Sequence, residues 1–213
     1  MKTTNSLWTG LAVCILFLGV LSGCSDKKNA DIQVKNPDVS LTCIGVLPVR
    51  VVVNTKKNTN FNKASGLNDG ALVLAGQLEK MFMANDKIRF ISPGQLNSLE
   101  SDGAGDLLSR AKKAGSFVSC NGVLEVTLLR YRQRVGGKYT AETPASVSFT
   151  YQLLEVNSGQ VLCRGRFDET QESVMENLFN FSSARKRGFT WVTAEELLRE
   201  GLQSKLSECP YLH

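Results

Sequence analysis

Any chemistry in this chain of 213 residues has to come from its cysteines, its arginines or its carboxylates. There are six cysteines. Cys14 and Cys24 stand in and at the end of an apolar run, and Cys43, Cys120, Cys163 and Cys209 are spread through the rest. No pair has CxxC spacing, and the single histidine is the terminal His213. That pattern argues against a Cys/His metal set and against a Ser–His or Cys–His nucleophile, so neither a metal nor a cofactor is expected. No GxSxG, HExxH or phosphate-loop motif is present. The chain is therefore read as a non-enzyme. The alternative is a hydrolase with a paired-acid site drawn from Asp168, Glu169 and Glu172, although nothing in their spacing specifies a geometry. Glu195 and Glu196 are better explained as helix-capping residues.

The arginines are more suggestive. In FVSCNGVLEVTLLRYRQR, a strand's alternation puts Arg130, Arg132 and Arg134 on one face and Tyr131, Gln133 and Val135 on the other. A following hairpin could bring Arg164 and Arg166 beside them. Such a stripe suits an acidic protein, a glycan or lipid headgroups; the plain alternative is a solvated face covered by alkyl stems. Trp191 follows the basic run Arg185-Lys186-Arg187, with Phe189 between them. It is a candidate for docking, or for packing the last helix on the sheet. The formal charge of +5 is too mild and too diffuse for a nucleic-acid partner.

The remaining chemistry is at Leu21-Ser22-Gly23-Cys24. Met1 and Lys2 precede an apolar core from Leu7 to Leu21, which is the order of an export signal and is shorter than a spanning helix. Small residues at Ser22 and Gly23 leave a peptidase room at the bond before Cys24. The stretch resembles the lipobox of bacterial lipoproteins. That resemblance implies removal of residues 1–23 and transfer of a diacylglycerol to the Cys24 thiol. Each buried CH₂ is worth about 0.8 kcal/mol, so two or three chains anchor stably. The position after the cysteine is Ser25, with Asp26 one step later; the resemblance then favours the outer membrane, periplasmic face, over the inner membrane. Residues 24–41 read as the lipidated cysteine and a polar tether, and residues 42–213 as a single periplasmic domain. Four cysteines in an exported domain allow two disulfides in three connectivities, or buried free thiols.

The elements that must position these residues follow in order. Cys43 to Val53 is a β-branched run suited to a buried strand, with Pro48 arguing mildly against a central position. NTKKNTNFNKASGL, residues 54–67, reads as an exposed loop. Asp69 is a candidate cap for a helix to Ala84 with Ala71, Leu74, Ala75, Leu78, Met81 and Phe82 on its inner face. KIRFIS, residues 87–92, is a short strand. A helix from Gly105 to Ala114 stops at Gly115. Strands follow over Phe117–Arg134, Ala145–Val156 and Gln160–Glu169, the last two a hairpin about Asn157-Ser158-Gly159. In the last of these, Val161, Cys163, Gly165 and Phe167 are expected on one face and Leu162, Arg164 and Arg166 on the other. Gly136-Gly137 reads as a turn. Thr193 and Glu196 match a capping box opening a helix to Ser207. The order β-α-β-α-β-β-β-α predicts an α/β three-layer sandwich with a mixed five-stranded sheet. Cys43 and Cys120 then begin neighbouring strands and can pair, and Cys163 and Cys209 can pair where the last helix returns.

IGVLPV at 44–49, AGSFVSCNGVLEV at 114–126 and the hairpin SFTYQLLEVNSGQVLCRGRF at 148–167, with the lipobox, resemble the periplasmic domain shared by three lipoprotein groups. These are the curli-secretion lipoproteins, the Pel exopolysaccharide-export lipoproteins and the outer-membrane activators of penicillin-binding proteins. The resemblance covers residues 42–207 and lacks any catalytic fingerprint. It implies a non-catalytic assembly or accessory role in secretion, polysaccharide export or the peptidoglycan machinery, with an envelope protein or further copies of the chain as partner. The long insertions by which the curli member builds a barrel are missing, which counts against a pore.

Overall fold

The computed structural model describes residues 35–52, 61–99, 106–171 and 190–213. The export segment, Cys24, the stretch 53–60, Gly105, Glu172, Arg185-Lys186-Arg187 and Phe189 lie outside the described residues.

Strand β1 (Ile44–Val46) is central. It pairs in parallel with β3 (Ile88–Phe90) on one side and β4 (Gly122–Arg132) on the other. Strands β7 (Ser146–Glu155) and β8 (Val161–Thr170) extend the sheet antiparallel, giving the order β3-β1-β4-β7-β8. The expected first strand is broken at Leu47-Pro48-Val49, and its second piece, β2 (Arg50–Val51), also pairs in parallel with β4. Pro48 falls at the break, where no ladder donor is required of it. The sheet is thus mixed and open, with a sixth, two-residue strand added to the expected five.

Both faces are covered, which makes three layers. On one face lie helices α1 (Phe61–Phe82) and α4 (Ala194–Leu206). Leu74, Leu78 and Phe82 of α1 and Leu197, Leu198, Leu202 and Leu206 of α4 are buried there against Val126, Leu128, Phe149, Tyr151 and Leu153. Each fully buried leucine is worth roughly 1.5–3 kcal/mol relative to leaving it exposed. The helix α4 approaches β8 so closely that a Cβ on Gly201 would stand 2.7 Å from the Phe167 ring. On the other face, α2 (Pro93–Leu99) and α3 (Leu107–Val118) cover a smaller core of Leu47, Ile91, Leu96, Ala111, Ala114, Val123 and Val156. Among the described residues, no helix is long and apolar enough to cross a membrane.

Several boundaries differ from expectation for identifiable reasons. Helix α1 starts at Phe61, so the expected loop is helical from there and Asp69 is interior rather than a cap. Helix α3 runs through Gly115 to Val118 and begins after the cap Asp106, whose carboxylate accepts from Ser109 N–H. Gly115 is a packing residue: a Cβ there would meet the Cys120 carbonyl and Val156 at 2.8 Å. The stop is Ser119, in the left-handed region at φ 54°. Because α3 extends this far, β4 starts at Gly122 rather than Phe117. The expected glycine turn is a small antiparallel ribbon, β5 (Val135–Gly136) with β6 (Ala141–Thr143).

Both disulfides have the expected connectivity. Cys43 is bonded to Cys120, Cα atoms 4.9 Å apart, across the starts of β1 and β4. Cys163 of β8 is bonded to Cys209 in the turn after α4, at 5.7 Å.

Candidate functional site

Parity creates the arginine face. In β4 the buried, helix-facing residues are Leu124, Val126 and Leu128. Simple alternation would continue that row to Arg130 and bury a guanidinium in the main core. A β-bulge at Leu129 prevents this: Leu128 is opposite Phe149, but Arg130 is opposite Ser148. One extra residue flips the remainder of the strand. Tyr131 turns toward α1, where a Cβ on Gly70 would meet its ring at 2.4 Å. Arg130 and Arg132 turn to the opposite face. A bulge also displaces the start of β8, where Leu153 is opposite Cys163 but Leu154 opposite Val161. Leu162 therefore packs against the main core and Val161 is exposed, the reverse of the expected assignment.

On the arginine face the cross-strand rows are Arg130–Ser148–Asp168 and Thr127–Thr150–Arg166. The expected repulsion among arginines is largely relieved within the domain. Asp168 accepts from Arg130 through Oδ1 and from Arg166 through Oδ2, the latter at 2.5 Å. Arg130 Nε–H also donates to Ser146 Oγ at 2.5 Å. Burial pushes the Asp168 carboxyl up, but hydrogen bonds from Arg166 and Arg130 and the Arg130 charge together hold it below the usual carboxylate range. One carboxylate thus fixes two guanidinium planes, leaving further N–H groups of each fork directed elsewhere.

Arg130 and Arg166 line a groove of about 890 Å³ beside the end of β4. Arg130, Arg132, Arg166 and Ser148 form its polar wall; Gly66, Leu67, Asp69 and Val73 of α1 form the other, with Leu129, Tyr131 and Gln133 between. Burial, Glu195 and Asp69 raise the Tyr131 phenol above its ordinary range, keeping it neutral. Gln133 fixes that side of the groove: its amide donates to Tyr131 OH at 2.8 Å and accepts from Ala194 N–H at 3.2 Å.

The other candidate residues are elsewhere. Arg134 donates to the Trp191 carbonyl, while Trp191 N–H donates to the Lys138 carbonyl at 2.8 Å. Arg134 and Trp191 line a separate cavity of about 840 Å³ with Arg199, Glu169 and Glu200. Arg164 is exposed in the row of Glu125 and Gln152, one pairing step beyond Arg166. Asp168 and Glu169 face opposite sides of the sheet, so these neighbours do not form the paired-acid site a hydrolase would need. Sequence reasoning missed Asp168 as the shared counter-ion, although its place in an i, i+2 series with Arg166 was a usable signal. It also missed the buried pair of Glu125 and Arg110 and the half-exposed Arg50 beside it, which come from three separate elements.

No protein-family model matches this chain, and no curated protein matches it. Solved structures similar to it include the PelC dodecamer from Paraburkholderia phytofirmans, 13% identical over 83% of this chain and 93% of that one, with a TM-score of 0.44. The LpoB C-terminal domain from Salmonella enterica is 17% identical over 63% of this chain and 87% of that one, at 0.33. Lipoprotein GNA1162 from Neisseria meningitidis is 13% identical over 69% and 96%, at 0.37. PelC and LpoB fall among the lipoproteins that the sequence resembles.

Proposed function

We propose that this chain is a lipid-anchored accessory protein of the bacterial envelope, attached through acylated Cys24, that works by binding an acidic partner in the arginine groove. The observation that carries the binding role is the clamping of Arg130 and Arg166 on one Asp168, beside Arg132, along a groove whose three lining arginines outnumber its one lining carboxylate, Asp69. Held guanidiniums lose less side-chain freedom on binding than free ones, and their forks match carboxylates bidentately. The anchor is supported by LSGC at residues 21–24. Two disulfides suit an exported domain in an oxidising compartment. The partner is an acidic envelope protein or a second copy of the chain.

Two experiments test this reading. In fractionated cells, Cys24→Ala is expected to shift the protein from the membrane to the soluble envelope fraction. A variant that is processed and still fully retained by the membrane overturns the anchor. For the groove, Arg132→Gln with Arg166→Gln leaves Arg130 and its Ser146 bond in place. Hydrogen bonds to charged groups contribute about 1.5–3 kcal/mol each, so recovery of the crosslinked partner should fall about tenfold or more. The residual binding should lose most of its dependence on salt. Unchanged recovery and salt response, with an unchanged melting curve, assign these arginines to an ordinary solvated face.

A further inference from the structure

The end of the domain where the chain enters carries features that the arginine groove does not use. Lys35, the first described residue, places its ammonium 5.5 Å from the centre of the Tyr211 ring. Asn36 N–H donates to Tyr211 OH at 2.7 Å, and Val39 and Leu41 pack on the main core. Tyr211 is two residues from Cys209, which is tied to β8. The entry point is therefore fixed to the body of the domain by a disulfide-anchored turn rather than by a loose loop. Only ten residues separate Cys24 from Lys35, a reach of at most about 40 Å even fully extended.

Register identifies what else stands at this end. Ile88, Ile44, Gly122 and Glu155 form one row across the sheet, and Glu155 N–H continues it to the Gln160 carbonyl. Met83 follows the last residue of α1 and leads into β3. Phe117 lies in the last turn of α3, which leads into β4. Val161 is the first residue of β8, beside that row. These three apolar side chains are 84%, 49% and 41% exposed, and they come from three different elements. Lys35 and Lys87 add positive charge at the same end. Asp38 and Asp86 offset part of it, and Glu208 is paired with Lys205 at 2.7 Å. The combination is an apolar rim with a mild basic contribution at the point nearest the anchor.

We infer that this end rests on the bilayer surface, with Met83, Phe117 and Val161 dipping among the headgroups and Lys35 and Lys87 meeting acidic lipid phosphates. The inference rests on the Cys24 anchor, since the tether attaches at this end and holds it within about 40 Å of the membrane. Contact would then point the opposite end, which carries Trp191 and the β5–β6 ribbon, away from the bilayer. The surface needs little affinity of its own, because the lipid supplies a high effective concentration.

The full acylated chain can report its own orientation. Trp191 is the only tryptophan beyond the export segment. Single-tryptophan variants carrying Trp191→Phe with Met83→Trp, Phe117→Trp or, as an exposed control on α1, Leu72→Trp are reconstituted into phosphatidylethanolamine/phosphatidylglycerol vesicles containing brominated lipid. Flotation is measured on the same samples. Quenching severalfold stronger at positions 83 and 117 than at Leu72→Trp, or at Trp191 in the parent, is expected. That excess should shrink in vesicles without phosphatidylglycerol and in Lys35→Glu/Lys87→Glu. Protein that does not float overturns both the anchor and the surface. Protein that floats with equal quenching at all positions keeps the anchor and overturns the surface. Excess quenching indifferent to lipid charge and to both lysine substitutions overturns the role of acidic headgroups.

Discussion

Glu125→Ala is expected to destabilise the domain by about 3–5 kcal/mol, the range found when one member of a buried ion pair is removed. Glu125 lies on β4 and is 5% exposed; Arg110 of α3 is 8% exposed and binds Glu125 Oε1 directly. Arg50 of β2 approaches the same oxygen at 3.3 Å, but its side chain is 47% exposed and adds little. The cost arises because the buried Arg110 guanidinium loses the Glu125 carboxylate, not because the intact pair is strongly stabilising. Two controls separate those terms. Arg110→Met in the Glu125→Ala background removes the buried positive charge and should recover part of the loss. Glu125→Gln retains the shape and one acceptor while removing the charge, and should fall between the two. Urea midpoints for the parent, Glu125→Ala, Arg110→Met and the double variant close a double-mutant cycle. A single-variant cost below about 1 kcal/mol would mean that water reaches the pair and that α3 is held to the sheet by the apolar packing of Ala111, Ala114 and Val118.

The same trio shows where sequence reading reaches its limit. The main strands were legible because β4, β7 and β8 are long and rich in β-branched and aromatic residues, and the hairpin has a clear turn at Asn157-Ser158-Gly159. Helix α4 was legible from its capping box: Thr193 Oγ1 accepts from Glu196 N–H at 3.1 Å, and Glu196 Oε2 accepts from Thr193 N–H at 2.8 Å. Helix α2 carried the same kind of signal and was overlooked. Ser92 and Gln95 bond reciprocally, at 2.8 and 3.3 Å, and Pro93 occupies the first helical position. The start of α1 was hidden by a polar, lysine- and asparagine-rich stretch whose composition favours a loop.

For the arginine face, alternation puts Arg130 and Arg132 on one side, as the β4–β7 register has them, but the preceding residues were not considered with them. Val126, Leu128, Arg130 and Arg132 share sequence parity, and a sheet with one buried face cannot hold all four on one side. That conflict was the available signal for a bulge between Leu128 and Arg130. It also limits the stripe, since Arg134 lies past the end of β4 and is drawn to the Trp191 carbonyl instead. The pairing of Arg130 and Arg166 through Asp168 depends on the β7–β8 register, which sequence alone brings only into the right neighbourhood.

Loss of the Cys43–Cys120 bond is the second large effect expected, about 2–5 kcal/mol for Cys43→Ala/Cys120→Ala. The bond closes a separation of 77 residues, against 46 for Cys163–Cys209. Loop entropy alone would separate the two by only a few tenths of a kcal/mol, because it grows with the logarithm of loop length. The local structure argues for a wider gap. Strand β1 has only three residues, yet it is the strand that joins β3 to the rest of the sheet. Its entry is held by Cys43 and by Thr42, whose N–H donates to Asn121 Oδ1 at 2.8 Å. Without the bond, β1 and β3 depend on short parallel ladders. Cys163 instead lies within a ten-residue strand paired along its length with β7, and Tyr151 OH still donates to the Lys205 carbonyl at 2.9 Å to hold the end of α4. In urea melts of the two double variants, the Cys43/Cys120 variant should therefore lose more, with hydrogen exchange accelerated first at residues 44–46 and 88–90. A larger loss in the Cys163/Cys209 variant would instead make the C-terminal turn the principal clamp on the sheet, and equal losses would leave chain entropy as the whole effect.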